Sequence, residues 1–72
     1  MSSEAIYRSR ARAVLSAAGI AIGQDLASLT ENQLAAIRSE AEAAYLAKYG
    51  KATPSAAYIS KRYDLLQRRG RA

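Results

Sequence analysis

Residues 29–50 read LTENQLAAIRSEAEAAYLAKYG and carry the start and stop signals of one complete helix. Thr30 is a suitable N-cap, and the side chain of Gln33 can return a hydrogen bond to the Thr30 backbone N–H, which makes a capping box. Gly50 can adopt the left-handed conformation that often follows the last turn of a helix. We therefore predict a helix at about 31–49 and expect it to be the scaffold on which the other elements pack.

A first helix is predicted at about 4–18, where Ser2 or Ser3 can provide the N-cap and a glycine follows the last turn. After it, residues 19–29 are rich in apolar side chains and contain two glycines. We expect this stretch to be an apolar connector that covers the helices, with Asp25 capping one short helical turn within it.

A third helix is predicted at about 54–69. Pro54 is the single proline of the chain, and its fixed backbone angle suits the first position of a helix. Gly70 is expected to end the helix. The sequence therefore predicts an all-α fold, a small three-helix domain that spans residues 1–72 as a single unit.

Apolar side chains recur at three- and four-residue spacing in each predicted helix, as they do in helices with one buried face. The residues on these faces, which we expect to form the core, are Tyr7, Ala11, Val14, Leu15 and Ala18 in the first helix, Leu34, Ile37, Ala41, Ala44, Tyr45 and Lys48 in the second, and Ile59, Tyr63 and Leu66 in the third. Half of the 72 residues are apolar, but 17 residues are alanine, so the core is thin for so short a chain. Because the chain has no Cys or His to supply a disulfide or the usual zinc ligands, we expect a protein partner or self-association to stabilise it.

The missing Cys and His also limit the chemistry of the chain. Neither a thiolate nucleophile nor an imidazole base is available, and the serines and tyrosines therefore lack the usual activating partner. Glu40 and Glu42 are two residues apart in the predicted second helix, so their carboxylates do not face each other. We predict that the protein is not an enzyme and that it uses no metal, no cofactor and no small-molecule substrate.

The N-terminal segment does not look like a secretory signal, because Arg8, Arg10 and Arg12 occupy the region where an uninterrupted apolar stretch is needed. No stretch approaches the roughly 18 apolar residues required to span a membrane. We expect a cytoplasmic protein, or one incorporated in a virion or another large assembly, without membrane contact.

Eleven basic residues against six acidic ones give a formal net charge of +5, which favours a polyanion or an acidic protein surface as partner. The candidate binding residues are the basic side chains near the two ends of the chain and the polar and aromatic residues of the third helix: Arg8, Arg10, Arg12, Lys51, Ser55, Tyr58, Lys61, Arg62, Arg68, Arg69 and Arg71. An alternative interpretation of the arginines of the first helix is a solvated rim, whose aliphatic stems cover the core.

Residues 42–70 have the outline of a helix-turn-helix unit, with two predicted helices joined by a glycine-containing turn. The run YISKRYDLLQRRG at 58–70 resembles the recognition helix of winged-helix regulators, which often end in a Ser-basic-basic-x-x-x-Leu run followed by a basic residue and Gly. This resemblance covers less than half of the chain and includes no wing. It implies that the residues approaching DNA are Ser55, Tyr58, Lys61 and Arg62, with Ile59, Tyr63 and Leu66 facing the core.

Two functions follow from these features. The first is a non-catalytic interaction protein, an accessory or adaptor subunit of a larger protein assembly such as a phage virion, or a phage-encoded accessory protein. The alternative is a regulator that binds DNA or RNA through the basic third helix. The first is our main prediction, because the thin core and the basic segments near the two ends of the chain both favour a protein partner. Four tyrosines surround the predicted junction of the second and third helices, and tyrosine is enriched at protein interfaces. The alternative is that they form the core there; we favour the core for Tyr45 and Tyr63 and leave both interpretations open for Tyr49 and Tyr58.

Overall fold

The computed structural model describes residues 3–51 and 53–72, which form three α-helices. The helices are α1 (Ser3–Ala17), α2 (Glu31–Tyr49) and α3 (Ala56–Arg71), and a short 3₁₀ turn (Leu26–Ser28) lies between α1 and α2. No strand occurs in the described ranges, so the predicted all-α, three-helix fold is confirmed. None of these helices combines the length and the apolar character needed to cross a membrane.

The helix α2 begins and ends as predicted. The Thr30 hydroxyl accepts a hydrogen bond from the Gln33 backbone N–H at 3.1 Å, and the Gln33 side-chain oxygen accepts one from the Thr30 N–H at 3.0 Å. Gly50 follows the last turn with a φ of +71°, and its N–H donates to the Leu46 carbonyl at 2.8 Å. The Gln33 amide also donates to the Gly19 carbonyl at 3.1 Å, which ties the start of α2 to the end of α1.

The central helix of the fold is α3, because it packs extensively against α1 and less extensively against α2, whereas α1 and α2 touch each other little. The expectation that α2 is the scaffold is therefore wrong. Cap signals define where a helix begins and ends, but the size of its buried face decides how many neighbours it contacts. The buried face of α3 includes Tyr63, Leu66, Gln67 and Gly70.

The core lies where the three helices and the connector meet. Its largest fully buried side chains are Leu15, Ile37, Tyr63 and Leu66, and Ile20 of the connector packs against them. These four helical residues were all predicted to be core.

Two members of the predicted core lie on the surface instead. Tyr7 is 46% exposed near the start of α1, where its ring contacts the Arg69 guanidinium rather than the core. Lys48 is exposed in the last turn of α2, where its ammonium lies over the ring of Tyr49.

The first turn of α3 differs from the prediction. The helix begins at Ala56, because the Ser55 hydroxyl accepts a hydrogen bond from the Tyr58 N–H at 3.2 Å and so caps it. Pro54, predicted to be the first helical residue, therefore precedes the cap and lies outside the helix. At the start of α1, Ser3 is already helical and is not an N-cap, while the other predicted cap, Ser2, lies outside the described residues.

Gly70 does not end α3, which continues to Arg71. A Cβ atom at Gly70 would lie 3.0 Å from Cδ1 of Ile22 and 3.2 Å from Cδ1 of Leu15. The glycine therefore serves the close approach of α3 to α1 and the connector, rather than a left-handed helix terminus.

The connector covers the helices as predicted, with Ile20 buried and Ile22 about half exposed. The predicted short turn is present at Leu26–Ser28, but the Asp25 side chain makes no capping hydrogen bond to it. Instead, the backbone carbonyl of Asp25 accepts hydrogen bonds from the N–H and the hydroxyl of Ser28 at 3.0 and 2.7 Å.

A buried polar network fastens the connector to α3. The Gln67 side chain, which is 6% exposed, donates to the Ala21 carbonyl at 3.0 Å and to the Tyr63 hydroxyl at 2.9 Å, and it accepts from the Gly23 N–H at 2.8 Å. The Tyr63 hydroxyl in turn donates to the Gln24 carbonyl at 2.6 Å. This network satisfies both ends of the buried amide, which is the condition for a polar group to stabilise a core.

Candidate binding surfaces

The helix-turn-helix resemblance implies a DNA-facing set, and the structure places most of its side chains in internal contacts. Ser55 caps α3, and the Tyr58 ring packs edge-on against Tyr45 at 4.9 Å between ring centroids. Lys61 is exposed on the outer face of α3, whereas Arg62 faces α2.

Arg62 is held by an ion pair with Glu40. Its Nε donates to both carboxylate oxygens at 3.2 and 3.0 Å, and its Nη2 donates to Oε1 at 2.8 Å. The two side chains are 20% and 17% exposed, and hydrogen bonding to the carboxylate raises the pKa of the Arg62 guanidinium above its ordinary value. Arg62 therefore links α3 to α2. Its partner is 22 residues away, so no local sequence pattern indicates the pair.

Arg12 also has an internal role. Its Nε donates to the Gly70 carbonyl at 3.0 Å and its Nη2 to the Ala72 carbonyl at 2.8 Å. The last carbonyl groups of a helix have no partner within the helix and carry partial negative charge, so a guanidinium is a favourable cap for them. Arg12 thus joins α1 to the C-terminal end of α3.

Three other candidate arginines come together at one concave surface, which we call the arginine surface. It is a depression of about 390 Å³ between the start of α1 and the end of α3, and its lining residues are Glu4, Tyr7, Arg8, Leu65, Arg68, Arg69 and Ala72. Two helices remote in sequence therefore contribute Arg8 on one side and Arg68 and Arg69 on the other. Tyr7 and Leu65 were not among the candidate binding residues.

The remaining candidates lie elsewhere. Arg10 borders a separate shallow depression on α1 together with Ile6, Lys51 is exposed in the loop after α2, and Arg71 is exposed at the last position of α3. The structure therefore does not bring all the basic residues into a single face.

A second surface is formed by three aromatic rings where α2 ends and α3 begins, and we call it the tyrosine cluster. Tyr45 lies 4.7 Å from Tyr49 and 4.9 Å from Tyr58 between ring centroids, and Tyr49 and Tyr58 are 6.5 Å apart. Leu46 on the same turn of α2 is 50% exposed, and Tyr49 is 51% exposed. These three tyrosines were predicted to lie near the junction, whereas neither Leu46 nor Tyr49 was among the candidate binding residues.

No three His, Cys, Asp or Glu side chains gather as possible metal ligands in residues 3–51 and 53–72. Comparison of the chain with protein-family models, with curated proteins and with solved structures finds no match. The arginine surface and the tyrosine cluster are therefore the features of the molecule that bear on its function.

Proposed function

We propose that this chain is a non-catalytic interaction module, an accessory subunit that docks on a protein of a larger assembly through the tyrosine cluster. The observation that carries this proposal is the half exposure of Leu46 and Tyr49 beside two further tyrosine rings. Tyrosine is enriched at protein interfaces, where its ring is buried and its hydroxyl can still hydrogen-bond. An exposed leucine within an aromatic group adds apolar area that a partner can cover.

The charges around the cluster indicate the chemistry of the partner. The Lys48 ammonium lies 5.3 Å from the centroid of the Tyr49 ring, and Lys51 is exposed just beyond the end of α2. Glu42, one helical turn before Leu46, is the nearby acidic residue on α2 and is partly buried. We therefore propose a partner that presents an apolar side chain to the rings and carboxylates to the lysines.

The thin core supports the same proposal. A chain of 72 residues with 17 alanines has little apolar area to stabilise it alone, and a partner adds burial that the chain lacks. A phage virion, or a complex containing a phage-encoded accessory protein, is an assembly in which a subunit of this size and charge would fit.

The alternative function is a DNA- or RNA-binding regulator. It has less support, because the N-terminal half of α3 is largely engaged in contacts within the chain. Ser55, Tyr58 and Arg62 make contacts within the chain, so a duplex reaching this half of the helix would have to displace them.

The test is affinity capture from the source cells, with the wild-type chain compared with Leu46→Ser and Tyr49→Ser. Ile6→Ser is a matched control, because Ile6 is a large apolar residue of similar exposure, 48%, on a different helix. We expect one discrete protein that Ile6→Ser retains and that both cluster variants bind at least tenfold more weakly. Binding should also weaken with added salt, because the proposed rim contacts are ionic.

The affinity of the identified partner is then measured with purified proteins by isothermal titration calorimetry. Equal affinity for the wild-type chain and for both cluster variants would contradict the proposal. Light scattering of the isolated chain over a range of concentrations tests a second copy as the occupant. A dimer that Tyr49→Ser disrupts would replace the proposed partner by self-association.

A further inference from the structure

The arginine surface combines positive charge with an accessible aromatic ring. Arg8, Arg68 and Arg69 line the depression together with one acidic side chain, that of Glu4, and with Ala72. Arg8 also borders a neighbouring depression of about 420 Å³ whose other lining residues include Arg12. The cationic side chains therefore follow two adjoining hollows along α1, rather than a single point.

The end of a helix normally brings negative partial charge to its surroundings, which would oppose an anion at this place. Here the terminal carbonyls of Gly70 and Ala72 are hydrogen-bonded to Arg12. This contact neutralises part of the helix end beside the depression, and it joins α1 to α3 where the lining arginines meet.

Tyr7 supplies a feature that a purely ionic site would not need. The Arg69 guanidinium lies 4.5 Å from the centroid of its ring, which is a cation–π contact that orients the ring. The side chain nevertheless stays 46% exposed within the depression. An oriented aromatic ring surrounded by guanidinium groups is typical of surfaces on which an unpaired base stacks while cations hold the adjacent phosphates.

We propose that the arginine surface binds single-stranded nucleic acid, with phosphates on Arg8 and Arg68 and a base stacked on Tyr7. Bases in a duplex are already stacked and cannot reach a ring inside a depression of this size, so the single strand is the matching ligand. The surface lies near the C-terminal end of α3. It is about 16 Å along the helix axis from Tyr58 of the tyrosine cluster, because 11 residues rise about 1.5 Å each. The two surfaces can therefore be occupied together.

The probes are a fluorescein-labelled 12-nucleotide oligouridylate, the corresponding oligodeoxythymidylate and a labelled 12-base-pair duplex, and fluorescence anisotropy at several salt concentrations measures affinity. We expect both single strands to bind, and the duplex to bind at least tenfold more weakly. Arg8→Gln combined with Arg68→Gln should lower affinity at least tenfold. It should also flatten the slope of log affinity against log salt by about 1.4, which is about 0.7 for each lost phosphate contact.

Tyr7→Leu separates stacking from charge. It keeps an apolar side chain beside Arg69 and leaves the net charge unchanged, so it should weaken single-strand binding about fivefold or more without changing the salt slope. Lys61→Gln combined with Arg38→Gln is the matched control, because both side chains are exposed and neither lines the depression. Circular dichroism at 222 nm confirms that each variant keeps its helices.

Three kinds of result would overturn the proposal. The first is equal loss of affinity in the control pair and in the Arg8–Arg68 pair, which would show that only net charge matters. The second is a duplex that binds as tightly as the single strands, or a Tyr7→Leu variant that binds like the wild-type chain. The third is tighter binding of polyglutamate than of either oligonucleotide, which would assign the surface to an acidic protein segment.

Discussion

Replacing Gln67 by Met should remove the polar network that holds the connector while nearly preserving side-chain volume. The change eliminates three hydrogen bonds, to the Ala21 carbonyl, the Tyr63 hydroxyl and the Gly23 N–H. At about 1 kcal/mol for each of the three bonds, the expected loss is about 3 kcal/mol. A domain of this size has a total stability of roughly 4–11 kcal/mol, so the loss is a large fraction of it.

Urea denaturation followed by circular dichroism measures this loss, and thermal unfolding should show the midpoint falling by about 10–20 °C. Gln24→Met is the matched control. Gln24 lies in the same connector, but its side chain accepts a single hydrogen bond, from the exposed Ala21 N–H at 3.0 Å. We expect the control to lose less than about 1 kcal/mol.

The double variant with Tyr63→Phe tests whether the network acts as a unit. Because Gln67 and Tyr63 share a hydrogen bond, the two changes should cost less together than the sum of the single changes. A loss of less than about 0.5 kcal/mol for Gln67→Met, or a loss equal to that of Gln24→Met, would refute the reasoning. It would mean that water replaces the amide without cost and that the connector does not depend on α3.

Three further predictions concern the remaining contacts of the fold. Ile37→Ala should lower the free energy of unfolding by about 2–5 kcal/mol, because the side chain is completely buried. An unchanged stability in urea denaturation would show that the residue is not part of the core. Glu40→Gln should lower the free energy of unfolding by about 1 kcal/mol, because it weakens the partly buried ion pair with Arg62. A double-mutant cycle with Arg62→Met that gives no coupling energy would show that the pair is only a surface contact. Gly50→Ala should lower the free energy of unfolding by about 1 kcal/mol through backbone strain at a φ of +71°, since no described residue beyond its chain neighbours places an atom within 4 Å of the added Cβ. An unchanged thermal midpoint would show that α2 can end in another way.

The elements of the fold were predictable because their signals are local. The capping box of Thr30 and Gln33 involves residues three apart, and the apolar spacing that marked Leu15, Ile37 and Leu66 as core repeats within each helix. Such patterns record helix ends and faces directly in the order of residues.

The contacts between helices were not predictable, because they join residues that are distant in the chain. Gln67 has the side chain of an exposed helical residue, and its buried role depends on the path of the connector. Gly70 looked like a helix terminus, although its function is to let Leu15 and Ile22 approach α3. A glutamine can be exposed or buried in a helix, and a glycine can end a helix or allow a close approach. Only the packing of the folded chain distinguishes these roles.

The same limit explains why net charge alone was a poor guide to the binding surfaces. The formal charge of +5 counts Arg62 and Arg12 equally with the other basic residues, yet the first is bonded to a carboxylate and the second to the terminal carbonyls of α3. The Arg62 contact positions α3 against α2, and the Arg12 contact positions α3 against α1. Arg8 and Arg68 meet at the second of these junctions, between α1 and α3. Arg12 therefore stabilises the junction between α1 and α3, whereas Arg8 and Arg68 line the depression beside it. An anionic ligand should respond to substitutions at Arg8 and Arg68 through affinity, and to a substitution at Arg12 mainly through the stability of the fold.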